Sequence, residues 1–422
     1  MLGYKNIDEA NQAVLAKITS AAPFLVDVRP ASEVIPELRE VKTLLHAGPP
    51  ITWEKMTDPM RGSCIGAALF EEWAKDEKEA LSLLSSGKVR FLPCHSVDAV
   101  GPMGGITSPH MPVLVVENRT EGNRAYCTMN EGIGAVLRFG AYNDAVIQRL
   151  RWMCDILGPT LSLILSKIDG GLNINVMVSK AIAMGDEFHQ RNIAGSLAFL
   201  KEMAPRLVVA DVEDKAKSEV MQFLADTDQF FLNIMMAACK AIMDAARTVR
   251  AGTVVTAMSR NGDNFGIRIS GMGDEWFTAP VNTPDGLYFT GYSSEDSNPD
   301  MGDSAITEAF GVGGMAMIAA PAVTRFVGSG GFDDALNTSN EMMEICIGRN
   351  HNFPVPTWNF QGICLGIDAR KVVASRITPV INTGIAHKKA GIGQIGAGTV
   401  RPPEACFDQA VRAYANKLGY KQ

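Results

Sequence analysis

Four polar loops of this 422-residue chain collect side chains able to move protons or hold anions. The first reads Cys94-His95-Ser96-Val97-Asp98 and then Gly101-Pro102-Met103-Gly104-Gly105, so an imidazole and a carboxylate stand three apart beside glycines, the composition of a binding loop. The second, Met184-Gly185-Asp186-Glu187-Phe188-His189-Gln190-Arg191-Asn192, again spaces an Asp and a His by three. On a helix Asp186 and His189 would share a face and jointly hold a metal or orient a proton-transfer group. The third joins Arg260-Asn261-Gly262-Asp263 and Arg268 to Gly302-Asp303-Ser304 and Gly311-Val312-Gly313-Gly314, charged turn tips beside a glycine loop whose amides could meet an anion. The fourth sets His387-Lys388-Lys389 before Gly391-Ile392-Gly393-Gln394-Ile395-Gly396, positive charge next to flexible backbone. Each has a plainer reading. The histidines of the first loop cap carbonyls, Asp186 caps a helix after the glycine that ends the previous one, the glycines allow close packing, and the lysines form a solvated turn.

The elements that must position these loops alternate between strand-like and helical patterns. In residues 1–145, a polar helix over 7–20 precedes an apolar strand at 23–28, a helix at 65–75, and strands near 88–93, 112–117 and 124–129. Residues 146–250 turn helical: Val146, Leu150, Met153, Ile156 and Leu157 lie on one 3.6-residue stripe until Gly158-Pro159 breaks it. Further helices are predicted over 161–168, 175–183, 193–203, 213–224 and 230–249, with Met235, Met236 and Met243 as core filler. From 251 to 422 β-branched runs return, separated by Asn-Gly and Gly-Asp turns. The pattern predicts a multidomain α/β protein, mixed α/β at both ends with a helical middle, divided as 1–145, 146–250 and 251–422.

Composition narrows the function classes. A net charge of −7 without a basic run repels a phosphate backbone, so nucleic acid is not an expected partner. The N-terminal residues lack the apolar core of a signal peptide and no stretch is apolar for long enough to span a bilayer, which predicts a cytoplasmic protein with no membrane partner. Eight cysteines occur without a Cys-x-x-Cys pair, so neither a disulfide framework nor a zinc knuckle is indicated. The Gly391–Gly396 run matches Gly-x-Gly-x-x-Gly, but Arg401-Pro402-Pro403 follows where a dinucleotide site needs a helix. The signatures of P-loop ATPases, serine hydrolases and zinc proteases are absent. No cofactor is required by these residues, and the identity of any metal stays unknown.

Four strings, Leu92-Pro93-Cys94-His95-Ser96-Val97-Asp98 with Gly101 to Gly105, residues 184–192, Arg260-Asn261-Gly262 through Gly273-Asp274, and Gly302-Asp303-Ser304, resemble the YlbE/YahG-like proteins, long catalogued as a domain of unknown function. The resemblance covers nearly the full length. Members of that family are similar to a subunit of oxamate carbamoyltransferase, which in anaerobic allantoin breakdown converts oxalurate and phosphate into oxamate and carbamoyl phosphate. The resemblance implies an FdrA-like protein and a smaller companion subunit as partners, an oligomer, and small anionic substrates. It supplies no agreed catalytic set, and the Ser-Thr-Arg-Thr phosphate motif of aspartate and ornithine carbamoyltransferases is missing. Such chemistry needs a base near the oxamate nitrogen: His189, oriented by Asp186, ranks just ahead of His95, oriented by Asp98. Anionic substrates need cations, for which Arg191, Arg260, Arg268, His387 and Lys388 are the candidates, and Asn261, Asp263, Asp303 and Ser304 are the further substrate-binding candidates. A non-catalytic scaffold or regulatory subunit and a metal-dependent amidohydrolase are the competing expectations.

Overall fold

Helix Phe230–Arg247 is buried along almost its whole length, with Phe231, Ile234, Met236, Cys239 and Met243 all sealed from solvent. Its polar residues Asn233, Lys240 and Asp244 are hydrogen-bonded within the protein, as burial requires, and the helix lies at the centre. It packs on strands Pro112–Asn118 and Asn123–Thr128, on helices Ile7–Ser20 and Ile306–Phe310, and on strand Val255–Asn261. The largest hydrophobic core accordingly draws on Leu25, Val116, Phe199, Ile242, Phe265, Phe310 and Phe407, from all three stretches of the chain. The computed structural model describes residues 3–420 and shows an α/β protein.

A five-stranded sheet, four of its strands from the N-terminal stretch, has the order Ala99–Val100, Asn123–Thr128, Pro112–Asn118, Pro23–Pro30, Leu172–Asn173, antiparallel except for its first pair. A second sheet pairs Phe277–Pro280, Asn264–Ile269, Val255–Asn261 and Met301–Gly302. Its hairpin turn is built by residue chemistry: Gly262 takes φ +84°, and Asn261 Oδ1 accepts the N–H groups of Asp263 and Asn264 at 3.0 and 2.7 Å. A third sheet joins Asp285–Tyr288, Gln394–Val400 and Ile381–Ala386. Gly396 lies within its middle strand, so the Gly-x-Gly-x-x-Gly run has no helix to open.

The helices over 174–183, 193–208, 214–226 and 230–247 fall where the apolar stripe places them. Gly158-Pro159 does not break the helical path. A π turn over Met153–Leu157 joins Asp144–Trp152 to Gly158–Leu165, so the proline enters at the first turn of the second helix, where its missing N–H costs little. Among the described residues no helix is long and apolar enough to cross a membrane.

Candidate functional site

Residues 184–192 form a loop, and the helical face expected to carry Asp186 and His189 together does not exist there. Gly185 at φ +98° ends helix Ile174–Ala183, and Phe188 at φ +67° turns the chain again before helix Ile193–Val208. Asp186 serves that second helix: its Oδ2 accepts the Gly195 N–H at 2.7 Å, the work of a capping carboxylate. Burial lifts its carboxyl to about 6 against the opposing pull of the Gly195, Ala194 and Ile193 amides. Glu187 is the hub of the loop. Its Oε1 accepts the backbone N–H of His189 at 3.2 Å and of Arg191 at 2.6 Å, and also that of Gln190, while Oε2 accepts Asn382 Nδ2 at 3.0 Å. Burial raises this carboxyl to about 7.

So held, His189 meets a partner from far along the chain, its Nδ1 standing 2.7 Å from Glu308 Oε1, with both side chains buried. The Gly314 and Asn382 N–H groups also donate to Glu308 Oε1, at 3.0 and 3.2 Å, so the carboxylate is fixed independently of the histidine. With Glu308 accepting from Nδ1–H, the lone pair sits on Nε2, the tautomer that a general base needs. Gly313, at φ +63°, makes this approach possible: a Cβ there would lie 2.1 Å from Glu308 Oε1 and 3.1 Å from His189 Cβ.

His189 opens on a cleft of about 220 Å³, which Gln190, Ser304, Thr383 and Arg138 also line. Arg260 supports it from behind. Fully buried, it makes a two-pronged pair with Asp300, Nε to Oδ2 at 2.6 Å and Nη2 to Oδ1 at 3.2 Å. Its remaining N–H groups reach Gly302 O at 2.8 Å and the hydroxyls of Ser304 and Thr383, each at 3.3 Å. Every donor of Arg260 is therefore occupied, and the residue positions two hydroxyls of the cleft wall. Arg138 differs. Nη2 donates to Gly132 O at 2.7 Å, yet Nη1 is buried with no partner among the described residues.

The other expected residues lie elsewhere. His95 is sealed against Trp276, ring centroids 5.4 Å apart, and its Nε2 faces Asp303 Oδ1 at 3.5 Å without a hydrogen bond. Burial first, then the charges of Lys240, Arg268 and Arg247, hold this imidazole well below its usual range, so it is neutral. Asp98 is exposed at φ +56° and makes no side-chain hydrogen bond to His95, so the carboxylate nearest that ring belongs to Asp303. Asp303 ties three segments together by accepting the N–H of Gly48 and of Gly101, each at 2.9 Å, and the Ser259 hydroxyl. Arg268 lies over the Trp276 ring at 4.3 Å and donates to His95 O at 3.3 Å. Asn261 and Asp263 build the hairpin turn, with Asn261 Nδ2 on Pro49 O at 2.9 Å. Arg191 is 3.6 Å from Asp186 Oδ1, and does not line the cleft. His387 Nδ1 accepts the Lys389 N–H at 2.9 Å, and Lys388 reaches Glu295 O on the exposed surface, both outside the cleft.

The structure thus brings His189 and Ser304 to one cleft and adds Glu308, Glu187, Thr383 and Arg138, which sequence reasoning missed. One of them left a signal: Glu308 is an acid inside the apolar run Ala305-Ile306-Thr307-Glu308-Ala309-Phe310, where a charge needs a partner. Among the described residues no three His, Cys, Asp or Glu side chains gather in a way that could hold a metal ion.

Comparisons with known proteins bear on the chain as a whole. The family described as oxamate carbamoyltransferase subunit AllG matches residues 89–304. The chain is 60% identical over 416 residues to the oxamate carbamoyltransferase subunit AllG of Escherichia coli K12, covering 99% of each. It is 46% identical to the uncharacterized protein YahG of the same organism, over 98% of this chain and 87% of that one. The crystal structure of a conserved protein of unknown function from Enterococcus faecalis V583 matches with a TM-score of 0.96 at 45% identity, covering 99% of both chains. On this identity and coverage the chain belongs to the AllG family.

Proposed function

We propose that this chain is a subunit of an oxamate carbamoyltransferase and that His189, held by Glu308, handles the proton of the transfer. The observation that carries the reading is a buried imidazole–carboxylate pair at 2.7 Å opening on a cleft sized for a small substrate. In the forward direction the oxamate amide nitrogen attacks the carbonyl carbon of carbamoyl phosphate. The new N–C bond forms as the C–O bond to phosphate breaks, phosphate leaves, and the proton shed by nitrogen passes to His189 Nε2, while Glu308 stabilises the imidazolium. The reverse is phosphorolysis of oxalurate. Ser304, positioned by Arg260, offers a hydroxyl along the wall where the substrate carbonyls would lie, beside Thr383, whose own hydrogen goes to Asp300 at 2.9 Å. The expected partners are an FdrA-like protein and a smaller companion subunit.

The test is phosphorolysis of oxalurate followed as carbamoyl phosphate, with this chain alone and with both companions. His189→Asn and Glu308→Gln should each lower turnover by about 10²–10⁴-fold while leaving the thermal unfolding transition in place. Wild-type turnover in both variants would remove the assignment of the base, and turnover by the companions without this chain would leave it a scaffold.

A further inference from the structure

Arg138 is a cation of the cleft wall that the proton transfer leaves unused. We propose that Arg138 is the carboxylate clamp of this cleft, that the ligand this chain takes by itself is a small monocarboxylate bearing a neutral amide, and that the phosphate dianion is held by cations outside this chain; the proposal rests on the transferase reading. Arg138 is presented by a braced backbone. Glu131 accepts the N–H of Leu137 at 2.6 Å and of Arg138 at 3.2 Å, and Arg138 O accepts the Gly104 N–H at 3.0 Å. The guanidinium lies 5.3 Å from the Phe139 ring and spends Nη2 on Gly132 O, so its orientation is set before any ligand arrives. Nη1 is left buried without a partner, a donor whose desolvation only an acceptor can offset. Burial draws the guanidinium below the usual arginine range, with Glu131 opposing that in part, so an arriving anion would favour the charged form further.

The remaining wall chooses the rest of the ligand. The Gln190 side chain makes no hydrogen bond among the described residues, and the Ser304 hydroxyl accepts from Arg260 while keeping its own hydrogen to donate. A carboxamide or ureido group, which both donates and accepts, complements these neutral groups and His189. A phosphate dianion is poorly matched. Arg138 is the only Arg or Lys among the described residues of the wall, and Arg260 behind it has no free donor. In an enzyme named for its subunits, the second charge is then met across the cleft mouth by another chain, for which exposed Ile133, Phe289 and Phe326 form an apolar rim.

Calorimetric titration of the full chain decides this. Oxamate, oxalurate and inorganic phosphate are each titrated into wild type, Arg138→Gln and Arg138→Lys, with thermal unfolding of each variant checked. Oxamate should bind wild type, weaken by about 10–100-fold in R138Q, as expected for a lost charge-assisted pair, and weaken less in R138K, which keeps the charge but not the fork. Phosphate should bind the chain at least about 10-fold more weakly than oxamate and gain affinity when the companions are added. Oxamate binding unchanged in R138Q, phosphate binding the lone chain as tightly as oxamate, or no oxamate binding to wild type would each overturn the proposal. The transferase reading is judged separately by oxalurate turnover in the complex with and without His189, so either can fail while the other stands.

Discussion

The Arg260–Asp300 pair permits a quantitative forecast because both side chains are buried and their hydrogen bonds are accounted for. Taking the charge centres as about 4 Å apart in an effective dielectric of about 20, their attraction is about 4 kcal/mol, and desolvation consumes much of it. Removing one partner is a different matter, since it strands a charge that water cannot reach. Arg260→Met leaves Asp300 with the Thr383 hydroxyl at 2.9 Å, and Asp300→Leu leaves the guanidinium with one carbonyl and two hydroxyls. Each should cost about 3–5 kcal/mol. With an unfolding entropy of about 2.1 cal/mol/K per residue over 422 residues, that corresponds to a fall in Tm of roughly 3–6 °C for cooperative unfolding. The double variant, with no buried charge, should be more stable than the sum of the singles by at least about 2 kcal/mol, because the isolated charge is the source of the cost. Urea unfolding of the four proteins, with m-values compared to verify a common transition, closes the cycle. Single variants within about 1 kcal/mol of wild type, or losses that simply add, would refute the argument that Arg260 is a structural ion held by Asp300.

Two further outcomes follow from the same neighbourhood. Burial raises Glu187 to about 7, above its ordinary value of 4.5, so the folded state holds the proton more tightly than the unfolded chain does. The stability this confers is complete below about pH 4.5 and is lost as pH rises through about 7, by roughly 2–4 kcal/mol. Glu187→Gln, which cannot titrate, should therefore gain on wild type across that window in urea midpoints, the Asn382 amide turning so that its unpartnered Oδ1 meets the new donor; parallel curves would contradict the raised carboxyl. Gly313→Ala places a methyl group 2.1 Å from Glu308 Oε1 at a left-handed backbone position, so it should reduce oxalurate turnover at least about 10-fold and cost about 1 kcal/mol or more in stability, and wild-type turnover would show that the His189–Glu308 contact is not needed.

Local pattern carried much of the architecture. The apolar stripes of 174–183, 193–208 and 230–247 specify helices because a 3.6-residue period is written in consecutive letters, and Asn261-Gly262-Asp263 specifies its turn because only a few residues take that backbone at low cost. Gly158-Pro159 shows the limit: a π turn that accommodates a proline is a backbone adjustment that residue types do not announce.

The site divides in the same way. His189 and Ser304 were visible in the chain because imidazoles and hydroxyls in glycine-rich loops are chemically conspicuous. Their partners were not, since spacing of three suggested Asp186 for His189 and Asp98 for His95, while the fold supplied Glu308 from 119 residues away and set Asp303, from an even more distant part of the sequence, beside His95. The sequence by itself determined most of the helices, strands and turns, which side chains could react, and that the charge balance does not suit nucleic acid. Only the tertiary structure decided which carboxylate orients which imidazole, that Arg260 is spent on Asp300, and that Arg138 reaches the cleft. The reason is physical. Secondary structure follows from interactions within a few residues, whereas a buried charge takes its meaning from whatever the fold brings within about 4 Å of it, and that pairing is encoded in no local spacing.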